Sequence, residues 1–217
     1  MSVSPVTDTK PKRRRMSAAD RREAILDAAL EEFSLHGFHE TSLEGVADRA
    51  GISKALIYEH FPSKRDLHGA LLGRYVHQLL ERVIGAIATA APPEERMRAG
   101  GDAFLSFVED HREPWRLMVR NPADSGVEAT VGRVQSEIGL AIAALMQADV
   151  PPEREQDPED AHFEIEMLAQ QIVGALRALA NWWDDHRDVP RERLLETHMD
   201  FAWVGLDRLS QGESWAD

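Results

Sequence analysis

Cysteine is absent from this 217-residue chain. Its absence excludes a disulfide framework, a thiolate zinc site and a cysteine nucleophile, and leaves a reducing cytoplasm as an acceptable compartment. No run approaches the roughly 18 apolar residues of a membrane span, so no membrane partner is expected. The basic stretch Lys10 to Arg15 leads into the polar Ser17-Ala18-Ala19-Asp20 and not into an apolar core with a cleavage site. A secretory signal is therefore not expected, and a cytoplasmic location is. Also missing are a Gly-rich phosphate loop, a G-x-S-x-G elbow and an H-E-x-x-H pair. The chain is accordingly not expected to be an enzyme, and no catalytic residue or cofactor is assigned. The nine histidines are scattered among acidic residues. Their spacing suits no metal, although folding could still bring His111, His162 and a carboxylate together.

Positive charge is scarce overall, with 25 Lys and Arg against 38 Asp and Glu and a net charge of −13. That balance argues against a nucleic-acid partner until its distribution is considered. Residues 1–65 hold 11 basic and 10 acidic side chains, which leaves 14 and 28 for the rest of the chain. The acidity belongs to the C-terminal part, where it would keep that part off a duplex.

The most informative stretch is Thr41 to Asp66, TSLEGVADRAGISKALIYEHFPSKRD. Thr41 and Glu44 have capping-box spacing, and Leu43, Val46, Ala47 and Ala50 recur at helical steps. Gly51 supplies the turn, with Ile52 as its apolar anchor, and Ser53 can cap a two-turn helix that Pro62 stops. Ser63 and Asp66 repeat the capping spacing and open a longer helix. Helix, glycine turn, helix is the helix-turn-helix pattern, whose second helix can lie in the major groove of DNA. Leu56, Ile57 and Phe61 offer apolar contacts there, and Lys54, Tyr58 and His60 offer donors. The same pattern occurs in all-α proteins that never meet nucleic acid.

The segment RREAILDAALEEFSLHG from Arg21, Phe38, Thr41, Ser42, the turn Gly51 to Lys54, and the run Ile57 to Lys64 together resemble the tetracycline-repressor (TetR) family of bacterial regulators. The resemblance covers roughly residues 20–67 and rests on several spacings at once. It implies Thr41, Ser42, Ser53, Lys54, Tyr58, His60 and Lys64 as backbone or base contacts, and Leu56 near a thymine methyl. Leu56 and Glu59 depart from the small polar and aromatic residues frequent in the family, so base preference does not carry over. The resemblance further implies an operator-binding dimer and repression relieved by a small molecule.

Taken in order, residues 1–16 read as a disordered basic arm, with Lys10, Lys12 and Arg13 to Arg15. Ser17 and Asp20 cap a first helix running to about Leu35, with Ile25, Leu26, Ala29, Leu30 and Phe33 as its stripe and Gly37 closing it. From Ser63 a long helix is predicted to near Ala91, where Pro92-Pro93 breaks it. Further helices are predicted from Glu94 to about Arg112, at Pro114, from Val127 to Gln147, from Ala161 to His186 and after Pro190, with a proline-rich acidic connector from Asp149 to Glu159. The last helix is apolar on two sides, as an element with one partner inside the subunit and one outside would be. In the family the final two helices form the dimer bundle.

The expected fold is all-α. A helix-turn-helix domain over residues 17–66 is followed by a helical ligand-binding and dimerisation domain over 67–217. Phe104, Phe107, Trp115, Met118, Met146, Met167 and Trp182 lie on the middle helices that surround the effector cavity in the family, and they suit an adaptable apolar pocket. Arg116, Arg120 and Arg133 offer partners for an anionic ligand, and Asp160, Glu164 and Glu166 for a cationic one. The expected partners are double-stranded operator DNA, a small-molecule effector and a second copy of the chain. The alternative is a helical small-molecule binding or protein-interaction module that does not bind DNA.

Overall fold

Ser17 accepts a hydrogen bond from the Asp20 amide while the Asp20 carboxylate accepts one from the Ser17 amide. This reciprocal cap starts α1 (Ala18–Glu40), whose backbone leaves helical geometry at Gly37, with φ 71°. The computed structural model describes residues 16–89, 91–119, 125–149 and 158–211. The basic arm, the Asn121–Asp124 part of a predicted loop and most of the acidic connector lie outside the described residues. Among those described there are nine helices and no strand, so the fold is all-α.

Two short helices follow, α2 (Leu43–Ala50) and α3 (Lys54–His60). The cap of α2 is one residue later than the sequence spacing suggests. Ser42, not Thr41, accepts from the Gly45 amide. Thr41 is 3% exposed, and its hydroxyl donates to the carbonyls of Glu32 and Gly37 at 3.0 and 2.8 Å. Tying off α1 thus takes up the hydroxyl that would otherwise have capped α2. At the other end Gly51 adopts φ 66°, and the Ile52 amide reaches the Ala47 carbonyl at 3.0 Å, the chain reversal that glycine permits without a Cβ penalty. Ser53 caps α3 through the Leu56 amide.

Ser63 then opens α4 (Lys64–Ile87), accepting from the Asp66 amide at 3.1 Å. Its buried face runs from Leu67 through Leu71, Leu72, Tyr75, Val76, Leu79 and Val83 to Ile87. Leu67 and Leu71 are fully buried and each contributes about 2 kcal/mol of burial. Around α4 pack α5 (Pro93–Asp110), α6 (Arg112–Val119) and α7 (Ser125–Asp149), while α8 (Pro158–Asp184) lies on α7 and α9 (Arg191–Ser210) on α5. One apolar cluster extends from Phe33 on α1 to Met199 on α9. The two ends of the molecule therefore share a core, and α6 touches α1 directly.

Close approach of three helices depends on Gly100 and Gly101. A Cβ at Gly100 would come within 2.6 Å of Ile87 on α4, and one at Gly101 within 2.9 Å of Leu195 on α9. No helix among the described residues is long and apolar enough to cross a membrane. Replacing Gly51 with Ala forces a Cβ into left-handed backbone and is expected to lower unfolding free energy by about 1 kcal/mol. Gly51→Asn is expected to lose less, and urea denaturation of the two variants measures the difference.

Candidate nucleic-acid interface and inner cavity

Helical periodicity divides α3 into two faces. Ile57 and the capping residue Phe61 are buried, whereas Lys54, Ala55, Tyr58 and Glu59 are exposed and Leu56 and His60 are half-buried. Ser42, Ser53 and Lys54 lie in the open, and the Lys54 ammonium is 3.7 Å from Glu44. Ser42, Ser53, Lys54 and Tyr58 are thus open to solvent, and Leu56 and His60 partly so. Thr41 does not join them, because burial and two inward hydrogen bonds remove its hydroxyl from solvent.

Lys64 has a structural task that spacing did not reveal. Its ammonium donates to the carbonyls of His39 and Thr41 at 2.8 and 2.9 Å and lies 4.9 Å from the centre of the Phe38 ring. Two of its three donors satisfy the turn between α1 and α2, so any phosphate contact would fall to the third. Two arginines brace the same region. Arg49 on α2 binds Glu32 and Glu31 of α1, and those hydrogen bonds, Glu32 first, push its pKa up. Arg74 on α4 binds Glu23 and Asp27 of α1 and the Tyr75 hydroxyl. Burial opposes the Arg74 charge, yet its acidic partners more than offset this, and the net displacement of its pKa is upward. These pairs join residues 17 to 51 positions apart, a separation at which no local pattern exists to be read.

The second region is a cavity of about 110 Å³ enclosed by α4, α5, α7, α8 and α9. Ile87, Phe104, Ile138, Ile142, Met146 and Leu176 supply much of its wall. Its polar groups among the described residues are Arg96, Asp149, His198 and the indole of Trp203. Arg96 and Asp149 form an ion pair between α5 and the end of α7. His198 is 4% exposed, and burial pushes its pKa below the ordinary 6.5, so the imidazole is neutral at pH 7. A smaller cavity of about 40 Å³ shares Phe104, Ile138 and Val173 with the first and adds Trp115 and Met118.

Of the aromatic and methionine residues predicted for a pocket, Phe104 and Met146 line the larger cavity, and Phe104, Trp115 and Met118 the smaller. Phe107 is buried and stacked on His111 at 4.4 Å, inside the core. Met167 and Trp182 are corrected outright, being 56% and 46% exposed. Choosing by residue type ignored the helical face: α8 turns Ile172, Val173 and Leu176 inward and those two outward. Arg116 is held by Asp184 and Glu113, far from any role as a free ligand partner.

Against this geometry, two family models match the chain. Residues 25–71 match the model described as bacterial regulatory proteins of the tetR family, and residues 93–205 the tetracyclin repressor-like C-terminal domain. The chain belongs to the TetR family. It is 31% identical over 196 residues to the HTH-type transcriptional activator FasR of Mycolicibacterium smegmatis, covering 90% of this chain and 87% of that one. Over 72 residues, a third of each chain, it is 44% identical to the regulator RutR of Escherichia coli. The crystal structure of a TetR-like regulator from Rhodococcus sp. RHA1 superimposes with a TM-score of 0.72 at 28% identity, covering 89% of this chain and 99% of that one. As a TetR-family member the chain is a transcriptional regulator with a DNA-binding helix-turn-helix, and α2 and α3 are that motif.

The buried His198 makes stability depend on pH. Below pH 6.5 the unfolded chain binds a proton there that the folded chain resists, so stability falls as pH falls through this window. His198→Leu is expected to remove that contribution. Subtracting wild-type from variant unfolding free energies between pH 7.5 and 5 should then give a difference that shifts in favour of the variant as pH falls.

Proposed function

We propose that the chain is a ligand-responsive regulator that binds a pseudo-palindromic operator as a homodimer, with repression as its output and a small molecule as its releasing signal. The single observation that carries this reading is the division of α3, which buries Ile57 and Phe61 and exposes Lys54 and Tyr58. In this reading α3 enters the major groove of each half-site, the two centres roughly 34 Å or a multiple of it apart. Ser42, Ser53, Lys54, Leu56, Tyr58, His60 and the remaining donor of Lys64 contact the duplex. Residues 17–66 form the DNA-binding head, 67–217 the ligand-binding and dimerising part, and 1–16 a basic arm. The protein acts in the cytoplasm and performs no catalysis.

Dimerisation is supported by apolar side chains left in the open on the last two helices. Phe201 is 74% exposed, and Phe163, Met167, Trp182, Val204 and Leu209 are also exposed. Apolar exposure on that scale marks an interface in a water-exposed protein. Activation is a second reading, favoured by the relative from M. smegmatis that is named an activator. The sign depends on where the operator lies relative to the promoter, and a reporter gene carrying the chain's own upstream DNA reads it.

Lys54→Ala is expected to weaken binding to all duplexes and to flatten the dependence of log affinity on log salt by about 0.9, as measured by filter binding from low to high salt. A change limited to one base position would overturn the phosphate role. Phe201→Arg is expected to shift the protein from dimer to monomer in analytical ultracentrifugation and to lower operator affinity at least tenfold. Absence of salt-sensitive binding to any duplex in a genome-wide selection would favour the helical binding module without DNA.

A further inference from the structure

The polar inventory of the larger cavity restricts what it holds. Arg96 and Asp149 satisfy each other in an ion pair, and the other polar lining groups, His198 and the Trp203 indole, are neutral, burial holding the His198 pKa below its ordinary value. A charged ligand of either sign would have to compete with one member of that pair for the other. A neutral ligand leaves the ion pair intact.

His198 meanwhile is buried and lines the cavity, and a buried polar side chain calls for a hydrogen-bonding partner. A neutral imidazole carries one donor and one acceptor nitrogen, and a hydroxyl group complements whichever of them faces the cavity. The ring lies beside Gly101, where its Cδ2 would be 3.9 Å from an added Cβ, so α5 presents no side chain to compete for it there. Size sets the remaining limit. The 110 Å³ of free space is somewhat less than the roughly 150 Å³ of an apolar cavity that takes up benzene, which suits a ligand of about six heavy atoms.

We propose that this cavity binds an uncharged, mainly aliphatic alcohol of about six heavy atoms, its hydroxyl hydrogen-bonded to His198 and its hydrocarbon against Phe104, Ile138, Ile142 and Leu176. The assignment deepens the effector-site reading above and rests on it. His198 is then the specificity-determining residue, and the Arg96–Asp149 pair selects against charge of either sign.

Isothermal titration of the full chain with hexan-1-ol, hexanoate and hexylamine at pH 7.5 tests this. Hexan-1-ol is expected to bind at least tenfold more tightly than either charged probe. His198→Leu should weaken its binding about tenfold, His198→Gln should restore part of the loss, and Ile142→Trp, which fills the cavity, should abolish it. Equal or tighter binding of hexanoate or hexylamine, hexan-1-ol binding that ignores His198→Leu, or no binding of any probe would overturn the proposal. The comparison of the three probes on the unaltered chain decides even where a variant fails to fold. Operator binding measured in parallel separates the two readings. Hexan-1-ol bound as expected without any change in operator affinity would sink the effector role and keep the ligand class, whereas hexanoate bound with loss of operator affinity would do the reverse.

Discussion

The apolar seam along α4 is the constraint on which the rest of the structure depends. From Leu67 to Ile87 one face of this helix is buried, and several neighbours share in covering it. Helix α1 covers the N-terminal part, while α5, α6 and α7 cover the remainder. Each of those helices is thereby placed by its contact with α4. The head and the body are joined through packed side chains and not only through the chain itself. The glycine pair at Gly100-Gly101 adds to this by letting α5 approach α4 and α9 at once, which makes the cavity floor part of the same seam.

The DNA-facing surface is built on polar interactions that never face DNA. Thr41, Lys64 and Arg49 each satisfy carbonyls or carboxylates where α1 meets α2. Orphaned backbone carbonyls at a helix end carry a free-energy cost if they are buried unpaired. Meeting that cost with side chains from α2 and α4 holds the helix-turn-helix at a set angle on α1. The exposed residues of α3 are thereby carried on a braced support.

How far the sequence could be read depended on the range of the interaction. Capping is local, so Ser17 with Asp20, Ser53, and Ser63 with Asp66 were legible and stand at three helix starts. Thr41 was misread because the competing acceptors, Glu32 and Gly37, belong to the preceding helix. Helix extents followed from periodicity and proline, with Pro190 directly before α9. Cavity residues on α5 repeat at Met97, Gly100, Gly101 and Phe104, a helical face that spacing already contained. His198, among the histidines that a setting of acidic residues suggests are solvated, is instead buried, four residues after Leu194 on the buried face of α9. The Arg96–Asp149 pair spans 53 residues, and nothing in the order of the amino acids announces it. For Met167 and Trp182 the residue type suggested a lining, and the turn of α8 decided otherwise.

The length of α4 has a mechanical consequence. Its 24 residues extend for about 36 Å, with the cavity at one end and the helix-turn-helix at the other. A rotation of about 10° about the cavity end would carry the far tip through about 6 Å at that radius. A turn about the cavity end is therefore largest at the helix-turn-helix, and the stiffness of the helix sets how much of it arrives there.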